Sequence, residues 1–256
     1  MDVNKNSYTF VFAAIMVIVV AALLSSAAIQ LKPFQDVNIE LEKKQNILSS
    51  VGINVARDAS EEAYEKYIKS ELVINNKGET VEGSAFDIDL SIELKKESSL
   101  QLLPLFISNI KGELRFIIPL RGKGLWGPIW GFISLENNLN TVYGAVFDHK
   151  SETPGLGAEI NRPFFQDPFT GKTIFEGDDF TSIKVIKGGA EEGDMHGVDG
   201  ISGGTITSDG VSDMLSERLL MYLPYFDLVR PQVELDSVFL SLASVQIDLA
   251  NDSIIN

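Results

Sequence analysis

Between Lys5 and Lys32 the chain carries no charged residue, and the stretch from Tyr8 to Ile29 is apolar whichever way it is turned. About 22 residues rising 1.5 Å each cover the roughly 30 Å of a bilayer core. A soluble domain hides one apolar stripe of a helix, not all of its faces. A secretory leader has a shorter apolar stretch, typically 7–15 residues. The small residues Ser25, Ser26, Ala27 and Ala28 resemble a cleavage site, so removal there is the alternative to a retained anchor. The division expected is a transmembrane anchor over residues 1–32 and one domain over 33–256. Charge does not orient the span. Asp2 offsets Lys5, whereas Lys32, Lys43 and Lys44 follow it, which is no positive-inside signal for the N-terminus.

The roughly 200 residues beyond the anchor suffice for one domain with a real core. Lys and Arg number 21 against 36 Asp and Glu, a net charge of −15. A nucleic-acid backbone would be repelled by that balance, which excludes it as a partner. The chain has no cysteine. Disulfides, cysteine-ligated iron–sulfur clusters and thiol nucleophiles are therefore excluded, and any redox chemistry must come from a bound cofactor.

Periodicity in the domain is mixed. Pro33 is expected to break the regular structure, after which Asp36 to Ile47 reads as a helix leaving the membrane. Asp58 or Ser60 is expected to cap a second helix holding Ala63, Tyr64, Tyr67 and Ile68. Leu72 to Ile74 reads as a short strand. Phe86, Ile88, Leu90, Ile92 and Leu94 alternate with polar residues, which predicts a half-buried strand over 85–94. Further strands are expected at Leu114–Leu120, Phe132–Leu135, Thr141–Asp148 and Ile183–Ile186, with a short helix in Asn161–Asp167. Strands mixed with a few helices give an α+β class around a twisted antiparallel or mixed sheet.

Three glycine-rich stretches stand out. Asp199 to Gly210 sets Gly200, Gly203, Gly204 and Gly210 among the hydroxyls of Ser202, Thr205, Thr207 and Ser208. Val211, Met214, Leu215, Leu219 and Leu220 follow at helical spacing, so the loop opens a helix, with Ser208 or Asp209 as its cap and Pro224 as its stop. Bare amides at a helix N-terminus favour a phosphate. Neither the P-loop order nor the dinucleotide glycine pattern is present, and composition alone favours an ordinary capped turn. Arg121 to Gly131 holds both tryptophans, Trp126 and Trp130, among four glycines. Aromatic rings beside bare backbone can wall a flat ligand or simply anchor a turn. Glu152-Thr153-Pro154-Gly155-Leu156-Gly157 exposes amides and a hydroxyl in the same manner. His196, Asp199 and Ser202 lack the context of a nucleophile elbow, and His149 and His196 have no metal-ligand spacing.

The order Asp199, Gly200, Ile201, Ser202, Gly203, Gly204, Thr205 resembles the flavinylation motif of the FMN-binding family, with Gly204 where the family usually has Ala. Together with Arg121–Gly131 and Glu152–Gly157, it is similar to the NqrC family, the C-subunits of sodium-translocating NADH:quinone oxidoreductases. The related G-subunits of Rnf complexes are the nearest alternative, and a membrane-anchored scaffold is a contrasting one. The resemblance implies FMN held by a phosphoester to Thr205, placed there by a flavin transferase, within a flavin region of about 110–224. It implies cofactor contacts at Trp126, Glu152, Thr153, Leu156, Gly157, Lys187, Ser202, Gly203, Gly204, Thr207 and Ser208. It further implies electron relay inside a membrane complex, with no catalysis by the chain alone. The partners implied are the other reductase subunits and membrane lipid, with the domain on the periplasmic side of the inner membrane.

Overall fold

A computed structural model describes residues 6–252, with side chains as far as residue 230. Contacts divide the chain into two units, residues 1–44 and 45–256. Helix α1 runs Asn6–Ser50. Within the first unit it carries the apolar run, whose side chains from Thr9 to Ile29 are exposed, and it is the one described helix long and apolar enough to cross a membrane. Pro33 lies inside α1 and does not end it. Proline removes its own amide's bond to the carbonyl four residues back and crowds that carbonyl, but helical turns on both sides carry the axis through.

The second unit is built on an antiparallel six-stranded sheet. Its strands are β1 (Ile68–Ile74), β2 (Thr80–Val81), β3 (Leu103–Ile110), β4 (Glu113–Lys123), β5 (Pro128–Leu135) and β6 (Val142–His149), in the order β2-β1-β3-β4-β5-β6. Both faces are covered. Phe116, Ile118 and Leu120 of β4 enter one core, while Ile117 enters the other. That double burial is why β4 reads as a continuous apolar run rather than an alternating one. Ile47 and Leu48, at the end of α1, help fill the second core with Tyr64 of helix α2 (Ser60–Tyr67).

The first core lies under helix α5, Thr205–Asp252, which supplies Val211, Met214, Leu215, Leu219, Tyr222 and Phe226. Two glycines bring α5 against the end of β4. A Cβ on Gly122 would stand 2.7 Å from Met214 Cβ, and one on Gly210 would collide with the Lys123 carbonyl. The Tyr222 hydroxyl donates to the Pro104 carbonyl at 2.7 Å, and burial pushes its phenol well above the ordinary range. Short elements complete the domain: helices α3 (Leu90–Glu93) and α4 (Pro163–Gln166), the hairpin β7 (Phe175–Glu176) and β8 (Asp179–Phe180), and the parallel pair β9 (Lys184–Ile186) and β10 (Gly197–Asp199).

Four sequence expectations besides Pro33 are corrected. Residues 85–94 form turns and α3, not a strand; the Asp89 carboxylate accepts from the Ser91 amide at 2.7 Å and starts a helix instead. Helix α2 has Ala59 at its N-cap, and the Ser60 hydroxyl donates back to the Arg57 carbonyl. Helix α5 starts at Thr205, because the Ser208 amide already bonds to the Gly204 carbonyl. Ser208 and Asp209 are thus inside its first turns. Pro224 does not stop α5, since Tyr222 on one side and Tyr225 and Phe226 on the other are all buried in the same core.

Candidate cofactor site

Three segments meet at the N-terminal end of α5. The first is the turn between β4 and β5, where the Gly124 amide bonds to the Gly127 carbonyl and presents Leu125 and Trp126. The second is the loop after β6, where the Leu156 and Ala158 amides both bond to the Thr153 carbonyl. The third is the loop from β10 into α5. Its Gly200 amide bonds to the Ile186 carbonyl at 2.9 Å, and its Gly203 adopts φ +75°, a backbone that glycine takes without strain.

Glu152 joins the three. Its carboxylate is buried; Oε1 accepts from the Trp126 amide at 2.8 Å and Oε2 from the Thr207 hydroxyl at 2.7 Å. Its own amide donates to His149 Nδ1 at 3.2 Å. Ser208 is likewise committed, since its Oγ accepts from the Ile201 amide at 3.2 Å. The hydroxyls of Ser202 and Thr205 bond to no described residue.

Those free hydroxyls face a cleft of about 410 Å³, lined also by Lys187, Gly188, Gly189, Asp199, Gly203, Ser208 and Asp209. Thr205, Ser208 and Asp209 share it because residues three and four apart stack on one helix face. Lys187 is exposed at the end of β9, and Asp199 Oδ1 is occupied by the Ala190 amide at 2.8 Å. A lysine, a helix N-terminus, unbonded hydroxyls and glycine backbone form a donor set suited to a phosphate. Trp126 at 66 %, Ile206 at 58 % and Leu156 at 40 % exposure border the same end of the helix. Apolar groups held in water beside a polar cleft suit a ligand with a flat apolar part and an anionic tail.

Of the expected contacts, the cleft gathers Lys187, Ser202, Gly203, Thr205 and Ser208. Leu156 and Gly157 close its rim: a Cβ on Gly203 would meet Leu156 at 2.7 Å, and one on Gly204 would lie 3.3 Å from the Gly157 amide. Thr153 is exposed nearby. Glu152 and Thr207, by contrast, are turned inward onto each other. The sequence does not single out Ile206, and it offers Asp209 only as a helix cap. Helical spacing from Thr205 places Asp209 on the same face, and thus in the cleft. His196 Nδ1 lies 2.7 Å from the Thr173 carbonyl, so that ring serves the β7 region rather than Ser202.

An FMN-binding domain family model matches residues 124–219, the span that carries all three segments. The C-subunit of the Na(+)-translocating NADH-quinone reductase of Vibrio alginolyticus is 35% identical over 211 residues, covering 76% of this chain and 82% of that one. This chain belongs to the NqrC family, the C-subunits of Na(+)-translocating NADH-quinone reductases. A crystal structure of the family member from Parabacteroides distasonis is 44% identical, covers 76% of this chain and 96% of that one, and superposes with a TM-score of 0.71. That of Shewanella oneidensis NqrC is 26% identical over 76% of this chain and 97% of its own, with a TM-score of 0.63. Family members are thus subunits of an oxidoreductase complex, and their antiparallel sheet with flanking helices is the α+β fold described above.

Proposed function

We propose that this chain is a membrane-anchored electron-transfer flavoprotein subunit of a sodium-translocating NADH:quinone reductase, carrying FMN as a phosphoester on Thr205. Residues 1–32 form the anchor and 33–256 the domain, which stands on the periplasmic side. The observation that carries the reading is the contrast among four neighbouring hydroxyls. Thr207 and Ser208 are buried and bonded, Ser202 is exposed, and Thr205 is half-buried, unbonded and at the first residue of α5.

The residues fit FMN. The N-terminal amides of α5 and Lys187 would hold the phosphate, and Gly203 and Gly204 leave room for a transferase to bring it to the Thr205 oxygen. Trp126, Leu156 and Ile206 would flank the ring system, with the Thr153 hydroxyl and the Gly157 backbone offering polar contacts at its edge. Bound FMN supplies the reversible electron acceptance that the side chains of this cysteine-free chain do not. The protein holds and orients it, and Lys187 favours added negative charge. Electrons pass between neighbouring centres of the complex, so the chain contributes a redox step without turning over a substrate alone.

The test is an intact mass of the full chain co-expressed with a flavin transferase, followed by peptide mapping. The expected gain is FMN less one water, on the peptide containing Thr205. A chain without the adduct, or with it on Thr207 or Ser208, would overturn the reading.

A further inference from the structure

We propose that Glu152 is a positioning residue whose buried carboxylate clamps the Trp126 turn to the first turn of α5 and thereby sets where the Thr205 hydroxyl stands. The proposal rests on the assignment of Thr205 as the attachment residue.

The carboxylate is 5% exposed, and no described lysine or arginine pairs with it. Both of its oxygens act as acceptors, one from a backbone amide and one from a hydroxyl. A buried carboxylate without a cation is expensive unless such donors compensate it, so its burial depends on the Trp126 amide and the Thr207 hydroxyl both staying in place. Room is made for it from two sides. A Cβ on Gly124 would stand 2.5 Å from Oε1, and one on Gly157 would stand 2.5 Å from Oε2. Two glycine-rich motifs far apart in sequence therefore enclose the same side chain.

Helical phase then links the clamp to the cleft. Thr207 follows Thr205 by two residues, about 200° around the axis, so the two side chains leave α5 on opposite sides. Tying Thr207 inward to Glu152 fixes the rotation of the first turn and directs Thr205 outward. The same carboxylate holds the amide of Trp126, so the ring of Trp126 and the hydroxyl of Thr205 are referred to a single fixed point. Resemblance assigned Glu152 to the flavin; its geometry gives it this different task.

The test uses two nearly isosteric changes and a rescue, all in the full-length chain in detergent. Glu152→Met removes both acceptors, Thr207→Val removes the hydroxyl, and Thr207→Ser restores it. Amide exchange is measured without transferase, so it judges the clamp independently of flavin. Both damaging variants should speed exchange at Trp126 and at residues 208 and 209 roughly tenfold, the scale of one buried hydrogen bond. They should also slow flavin attachment to Thr205 in a timed reaction with transferase, read by intact mass. Thr207→Ser should return both readouts to wild type, and the exposed distant change Glu176→Gln should alter neither. Should Glu152→Met fail to fold, Thr207→Val and its serine rescue decide alone. Unchanged exchange, attachment at the wild-type rate despite faster exchange, or failure of serine to rescue would each overturn the proposal. Flavin absent from Thr205 in the wild type would instead overturn the attachment reading, and would be seen before any variant is made.

Discussion

Thr205 and Thr207 are the same residue type, two positions apart in one helical turn, yet they live in different surroundings. Thr207 is 1% exposed, with its hydroxyl spent on a buried carboxylate, while Thr205 is half-buried with its hydroxyl open to a cleft. The contrast extends outward from each. Behind Thr207 lie Glu152, Gly124 and Gly157, packed so closely that neither glycine could carry a methyl group unchanged. Around Thr205 lie Lys187, Gly188 and Gly189, exposed, with open space where a Cβ on Gly188 would go. The lesson is a division of labour: one side of the turn is rigid because its polar groups are used up, and the other stays available for chemistry because they are not.

The largest break in that comparison is Thr205→Ala. Covalent flavin should vanish entirely from the intact mass, while the urea midpoint stays near wild type, because an exposed-side hydroxyl contributes about 0.5 kcal/mol or less. Thr205→Ser should keep the adduct. Next comes Gly124→Ala, whose methyl meets the Glu152 carboxylate at 2.5 Å and Ile129 Cγ2 at 3.0 Å. Overpacking of that kind should cost about 1–3 kcal/mol in urea unfolding. Gly188→Ala has φ +90° but nothing within 4 Å, so only backbone strain applies, about 1 kcal/mol. Equal losses at the two glycines would erase the distinction between the tight and open sides.

Lys187→Ala sharpens the cleft side. Reduction adds negative charge to a flavin, and a cation within ~4–6 Å favours it, but screening at an exposed site leaves at most about 1 kcal/mol. On a scale of 59 mV per tenfold change for one electron, that lowers the midpoint by roughly 40 mV or less. Lys184→Ala is the control, and redox titrations agreeing across all three proteins would make Lys187 a bystander. The smallest stability effect is expected at Trp126→Ala. The backbone amide still serves Glu152 and the ring is 66% exposed, so unfolding should shift by less than about 0.5 kcal/mol. Flavin fluorescence should nonetheless change, because the ring is exposed near the N-terminal end of α5; an unaltered spectrum would remove Trp126 from the cofactor's surroundings.

Element type was legible wherever burial was regular. The strands within β4, β5 and β6 and the apolar stripe of α5 follow directly from their spacing. Residues 85–94 misled because alternation was read as one buried face, whereas Ala85, Leu90 and Glu93 are buried from turns and a short helix. The prolines misled in α1 and α5 because local cost was weighed without the buried residues and helical turns on either side of them. In the site, the loop's position before a helix was readable, but its register was not. Helix α5 begins four to five residues earlier than hydroxyl capping suggested, since the Gly204 carbonyl, not a side chain, accepts the first helical bond from Ser208.

By itself the sequence determined the uncharged apolar run near the N-terminus, the absence of cysteine chemistry, the acidic balance and the three glycine-rich stretches. Each of these is a property of composition or of neighbours along the chain. Only the tertiary structure decided which hydroxyl is free and which is spent. That choice depends on Glu152 reaching Thr207 and Trp126 across 55 and 26 positions of sequence. No periodicity encodes such a meeting. It arises because β4, β6 and α5 bring their ends together around one carboxylate, and because two glycines on different loops leave it the space.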